Sequence, residues 1–161
     1  MKWLFLLCFL GMPHANLELS EIRKMYPEAS KSETFAKEFA AKLATIALDE
    51  DPILVAYKGA SITMVSKFAK NLNQKIKQFK EGVKWMESAA NRNPNNIEIR
   101  LIRLSIQENV PRITNYRSNI AEDAKFLVEH YKEQSGPLKE YLKSFMLQSK
   151  SIPVAEKQMI K

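Results

Sequence analysis

The chain is poor in the residues that support sheets, disulfides and thiolate sites. Its single cysteine, Cys8, excludes an intramolecular disulfide. Only four glycines occur among 161 residues, and the Asn-Gly and Asp-Gly dipeptides typical of β-hairpins are absent. Lys, Glu, Ala, Leu and Ile are abundant instead, and these residues favour helices. The composition therefore predicts one all-α domain with a single core.

Residue patterns typical of catalysis or of metal and phosphate binding are missing too. The chain contains no His-Glu-x-x-His, Gly-x-Gly-x-x-Gly or Gly-x-Ser-x-Gly motif. After residue 15 one histidine remains, His130, which we interpret as a surface or packing residue. The acidic run 49–51 is interpreted as a helix cap, since no calcium-ligand spacing follows it. We expect a non-catalytic protein without catalytic residues, cofactor or metal; an enzyme built from scattered residues is the alternative.

The first fifteen residues, MKWLFLLCFLGMPHA, differ from the rest. Lys2 precedes an apolar stretch over 3–12, which is too short to span a bilayer and is typical of a signal peptide. We therefore expect export to the periplasm or the medium, with no transmembrane helix in the mature chain. A retained anchor or a buried N-terminal helix is the alternative. The net charge of +7 becomes +6 when Lys2 is removed, a mild bias that does not indicate nucleic-acid binding.

The remaining residues are expected to form a single helical domain over 16–149, followed by a flexible tail over 150–161. Regular apolar spacing predicts about six main antiparallel helices. Asp51 before Pro52 marks one helix start. Gly59 is small enough to let a neighbouring backbone approach closely. The clearest apolar stripe is formed by Ile76, Phe79, Val83, Met86 and Ala90.

The segment NPNNIEIRLIRLSIQENVP, residues 93–111, predicts a central helix with Asn95 as its cap. At about 100° per residue, Ile97, Leu101 and Leu104 share one face, and a second apolar face lies roughly opposite. That second face contains Ile99, Ile102 and Ile106. Neighbours are therefore expected on both faces, with only a thin basic strip between them left uncovered.

One stretch resembles a known repeat family. In GVKWMESAANRNPNNIEIRLIRLSI, the spacing of Gly82, Met86, Ala89 and Pro94 resembles the junction between two tetratricopeptide repeats. The whole chain is also similar to small exported helical proteins of flavobacteria, through its AYKGAS, NNIEIRLIRLSIQENVP and NIAEDAKF segments. The resemblance implies an irregular stack of helical hairpins and no particular chemistry.

Two basic surfaces are candidate binding sites, and the first is an arginine edge on the central helix. Arg100, Arg103 and Gln107 share one strip, which Arg112 and Arg117 could extend. Guanidinium groups suit carboxylates, so we expect a partner protein or an acidic peptide there, with Trp85 as an apolar anchor. The alternative is that these arginines pair with Glu98, Glu108 or acids of adjacent helices.

The second surface is a lysine-rich side over residues 67–84. Lys77, Lys80 and Lys84 lie on one strip, with further lysines at 67, 70 and 75. This side could hold the protein to an anionic envelope surface, whereas the alternative is a solvated face. Phe68 and Phe79 are assigned to core faces, so no aromatic side chains are expected between the lysines to stack with bases.

Overall fold

A computed structural model describes residues 18–160, and over that range the chain is all-α, as predicted. The predicted signal peptide over 1–15 lies outside the described residues. Within residues 18–160 eight α-helices form instead of about six, and α8 lies in the segment predicted as a tail. The helices are α1 Leu19–Ala29, α2 Glu33–Lys42, α3 Pro52–Ser66, α4 Leu72–Arg92, α5 Ile97–Asn109, α6 Ile120–His130, α7 Gly136–Gln148 and α8 Val154–Met159.

Polar caps begin several of these helices. The Asp51 carboxylate accepts a hydrogen bond from the Ile53 N–H at 2.7 Å, which confirms the predicted start of α3. For α5 the cap is Asn96 rather than Asn95. Its side-chain oxygen accepts from the N–H groups of residues 98 and 99, each at 3.0 Å. The cap therefore lies one residue later than predicted.

Two glycines let α3 and α4 form a tight antiparallel hairpin. A Cβ added to Gly59 would lie 2.7 Å from the Met86 nitrogen, and one added to Gly82 would lie 2.7 Å from the Gly59 oxygen. The second Cβ would also lie 2.6 Å from Cγ2 of Thr63. Residue 59 thus faces 86, and residue 63 faces 82. The backbones touch at a distance that only glycine allows, as predicted for Gly59.

Helix α5 is buried on almost every side, between α3, α4, α6 and α7. Both predicted apolar faces are covered, so the prediction of a sandwiched helix is confirmed. The six residues of those faces are each at most 7% exposed: Ile97, Ile99, Leu101, Ile102, Leu104 and Ile106.

The first two turns of α4 extend beyond the rest of the hairpin. The antiparallel register places the end of α3 opposite Phe79, so residues 72–78 project by about 10 Å at 1.5 Å per residue. Ile76 is therefore 44% exposed. Phe68, in the link between α3 and α4, is 37% exposed. The assignment of both residues to the core is wrong. Leu72 is exposed as well, at 70%. The buried stripe of α4 begins only where α3 covers it.

The C-terminal segment differs from the predicted flexible tail over 150–161. Residues up to 160 pack against the domain: Ile152 is 3% exposed and Ile160 is 8% exposed. The Ser151 N–H donates to the Glu108 carboxylate at 2.9 Å, and Lys157 Nζ donates to the Ser149 oxygen at 2.6 Å. The two buried isoleucines supply the apolar contact that the polar composition of this segment concealed.

Replacing Gly82 with alanine is expected to destabilise the fold, although alanine normally favours a helix by about 1 kcal/mol. The added Cβ would overlap the Gly59 carbonyl, which is backbone and cannot rotate away. We expect the free energy of unfolding to fall by about 1–3 kcal/mol, measured by denaturant titration. Gln78→Ala, at an exposed position of the same helix, is the control and should change little. Equal or greater stability of Gly82→Ala would contradict the close approach.

Candidate functional site

The predicted arginine edge is a buried ion network. Arg103 makes two hydrogen bonds to the Asp123 carboxylate of α6, Nε to Oδ2 and Nη2 to Oδ1, each at 2.7 Å. Arg100 donates from Nη1 to Asp123 Oδ1 at 3.0 Å. Asp123 is fully buried, Arg100 is 9% exposed and Arg103 is 7% exposed. One carboxylate therefore binds both guanidinium groups beneath the surface.

Four further side chains surround this network. Glu122 accepts from Arg100 Nη1 at 2.7 Å, and the guanidinium carbon of the same arginine lies 4.4 Å from the Phe126 ring centroid. Glu87 of α4 accepts from Arg103 Nη1 at 3.3 Å and also from the Tyr116 hydroxyl. Both arginines therefore also donate to side chains other than Asp123 within this chain.

The electrostatics agree with this pairing. Burial alone would lower the pKa of Arg103, but the hydrogen bonds and charge of Asp123 outweigh it and raise the pKa. Burial, reinforced by Glu87, raises the pKa of Tyr116. The hydrogen bond from Arg100 lowers the pKa of the Glu122 carboxyl. Arg103 therefore stays charged inside the domain, where Asp123 neutralises it.

The prediction of an uncovered arginine edge is consequently wrong for its central residues. Gln107 is also fully buried and donates to the Asn119 side chain at 3.2 Å. Arg117 is half-buried and donates to the Val110 oxygen at 3.1 Å, whereas Arg112 is exposed. The alternative of pairing with acids of an adjacent helix is what the structure shows, although the partners are not Glu98 or Glu108. Helix α6 covers the strip of Arg100 and Arg103. This contact joins two different helices, so the spacing of residues within α5 does not predict it.

Trp85 does not join the arginines. It is half-buried on α4, where its Nε1 donates to Glu81 at 2.9 Å and Lys58 Nζ lies 5.9 Å from its ring centroid. Glu87, the residue of α4 that reaches Arg103, lies two positions further on and so about 200° around the helix. The structure therefore separates the predicted anchor from the predicted edge.

A second buried polar cluster surrounds Glu98, whose role the sequence did not indicate. Its carboxylate accepts two hydrogen bonds from Arg23 of α1, at 2.8 and 2.7 Å, and one from the Tyr57 hydroxyl at 2.7 Å. Tyr57 also contacts the Tyr141 hydroxyl at 3.3 Å. A cleft of about 600 Å³ opens beside Arg23 and Glu98 and is lined partly by His130. These two charges already bind each other, so the cleft has no unpaired charged group directed into it from this cluster.

The tyrosines near Glu98 are held in their neutral form. Burial raises the pKa of Tyr26 to about 12, although its hydrogen bond with Ser105 acts in the opposite direction. Burial also raises the pKa of Tyr57 and of Tyr141. An ionised phenolate would be poorly solvated at each of these positions.

The lysine-rich side is exposed, as its predicted role requires. Lys77, Lys80 and Lys84 all point to solvent, and none of them pairs with a carboxylate of residues 18–160. Around the helix axis, Lys75 lies about 60° to one side of Leu72 and Lys80 about 80° to the other. The projecting turns of α4 therefore combine an exposed apolar stripe with lysines on both flanks.

The described residues offer neither a metal centre nor a membrane span. Within 18–160, no three His, Cys, Asp or Glu side chains form a group that could hold a metal ion. None of the helices there is long and apolar enough to cross a bilayer.

Comparison with known proteins gives no family: no family model, curated protein or solved structure matches the chain. The resemblance to tetratricopeptide repeats and to exported flavobacterial proteins stays a prediction.

Asp123→Asn is expected to destabilise the protein strongly, because it leaves two buried guanidinium groups without their shared counter-charge. We expect the free energy of unfolding to fall by about 3–5 kcal/mol in a denaturant titration. The control is Glu122→Gln, whose side chain is 61% exposed and which should cost less than about 1 kcal/mol. Similar losses for both variants would show that the network is not buried.

The protein should lose stability in alkali between pH 10 and 12. The unfolded chain releases the Tyr26 proton above the ordinary pKa of 10.0, whereas the folded protein holds it to about 12. Rising pH therefore favours the unfolded state across that window, and below it the contribution is constant. Denaturant titrations at pH 9, 10, 11 and 12 measure the effect. Tyr26→Phe should show a shallower fall, and an identical fall would contradict the assignment.

Proposed function

We propose that the protein is a non-catalytic binding protein that associates with an anionic surface through one end of the α3–α4 hairpin. We name this the lysine-rich end. It comprises Lys67, Lys70, Lys75, Lys77, Lys80 and Lys84, together with the exposed Phe68, Leu72 and Ile76. The arginine edge offers a partner protein little free charge, because Arg100 and Arg103 already bind Asp123.

The observation that supports this function is the exposed apolar stripe among the lysines. Lysines alone would serve as a solvated face that keeps the protein in solution. Leu72 at 70% exposure and Ile76 at 44% have no solubility role, and both lie on the two turns of α4 that project past α3. Basic residues flanking an apolar stripe are typical of helices that lie on anionic interfaces.

The local charge favours an anionic partner. Within residues 67–84 the only acid is Glu81, which accepts a hydrogen bond from Trp85. Each lysine near an anionic surface adds about 1 kcal/mol of attraction, so several together are enough for salt-dependent adsorption.

We further propose that the surface belongs to the cell envelope. This part rests on the signal-peptide pattern of residues 1–15, which also predicts a periplasmic or secreted protein.

The test uses sulfated dextran immobilised on a column as a lipid-free anionic surface. Lys77→Glu with Lys80→Glu should elute at clearly lower salt than the unchanged chain, because it reverses charge at the lysine-rich end. The matched control is Lys24→Glu with Lys132→Glu, two exposed lysines on α1 and after α6 that give the same net charge. If both double variants elute at the same salt, binding follows net charge and the proposed function is wrong.

A further inference from the structure

The loop after α5 lies beside the lysine-rich end. The ring of Tyr116 packs edge-on against Phe79 of α4, with centroids 6.1 Å apart, and its hydroxyl donates to Glu87 of the same helix. Residues 111–117, which we name the η-loop, are therefore held against the middle of α4, between Phe79 and Glu87.

The η-loop presents Ile113 to solvent at 90% exposure, the largest value among the large apolar residues of the described part of the chain. Hydrogen bonds define its shape: the Thr114 N–H donates to the Pro111 oxygen at 3.0 Å, and the Asn115 N–H donates to the Arg112 oxygen at 3.1 Å. Asn115 adopts a left-handed conformation with φ of 54°, which asparagine tolerates better than most residues. Ile113 is thus fixed outward by the turn, and the basic Arg112 lies next to it.

We propose that the anionic surface is a lipid bilayer, with Ile113 of the η-loop and Leu72 of α4 entering between its headgroups. This inference rests on the proposed function and names its partner. The lysines and Arg112 would bind headgroup phosphates while the apolar side chains leave water.

An acidic polysaccharide or nucleic acid fits this surface less well. Either polymer would supply anions for the lysines, but it would leave Ile113, Leu72 and Ile76 in water. A bilayer receives both kinds of group at once, charges at the headgroups and apolar side chains at the acyl boundary. Two separate insertion points, on α4 and on the η-loop, would also fix the orientation of the domain on the membrane.

The experiment places a fluorescent reporter at the proposed insertion point of the full chain. Ile113→Trp is made together with Trp3→Phe and Trp85→Phe, so that emission comes from position 113 alone. Phosphatidylcholine vesicles containing phosphatidylglycerol should shift its emission to the blue, and brominated acyl chains should quench it. Soluble sulfated dextran should do neither, because it offers no apolar phase.

The positional control is Leu48→Trp in the same background. Leu48 is 41% exposed, and its oxygen accepts from Arg92 at the far end of α4. A reporter there should show no shift. Because both variants keep residues 1–15, a contribution of that segment to vesicle binding is common to them.

A second measurement compares partition onto the same vesicles. Leu72→Ser with Ile113→Ser should lower the partition coefficient about tenfold or more and leave elution from sulfated dextran unchanged. Phe35→Ser with Leu48→Ser is the matched control, at two exposed apolar residues outside this end. Circular dichroism checks that each variant is folded.

The outcomes separate the two proposals. If position 113 shows no shift while the lysine variants still weaken dextran binding, the bilayer inference is wrong and the anionic-surface function stands. A shift of the same size at position 48 would also overturn the inference. If the lysine variants match their control on dextran, the proposed function itself fails.

Discussion

The rest of the structure depends on burying α5 from all sides although it has charged side chains. Helix α5 has two opposite apolar faces, so it needs neighbouring helices on both. Those neighbours also cover the polar strips between the two faces. The charges on the strips then require partners inside the domain, since an unpaired buried ion costs several kcal/mol. Asp123 of α6 binds Arg100 and Arg103, while Arg23 of α1 binds Glu98. These pairs connect the first and sixth helices to the central one.

This requirement also decides where a binding surface can lie. Groups that neutralise each other beneath the surface are unavailable to a partner, so the arginine strip of α5 has a structural role. By contrast, Lys77, Lys80 and Lys84 of α4 are exposed and pair with no carboxylate of residues 18–160. The charged and apolar groups that are available to a partner are therefore concentrated at the lysine-rich end.

The sequence predicted the features that depend on local pattern. The two faces of α5, the Asp51 cap and the tight approach at Gly59 all follow from spacing or from residue size. The burial of Arg100 could not be predicted, because it depends on α6 covering the strip. The exposure of Ile76 could not be predicted for a similar reason. Its spacing continues the buried apolar stripe of α4, but only the register between α3 and α4 shows that α3 ends before Ile76.

The same register explains why apolar residues remain exposed at this end. Shifting α4 to bury Leu72 and Ile76 would move the small residue at 82 away from Gly59 and place larger side chains at the contact. The hairpin tolerates one register, since backbone touches backbone at that point. The projecting turns consequently cannot be drawn into the core, and their apolar side chains stay available for a surface outside the molecule. The close contact between Gly59 and Gly82 thus keeps apolar side chains exposed at the lysine-rich end, where they can bind an external surface.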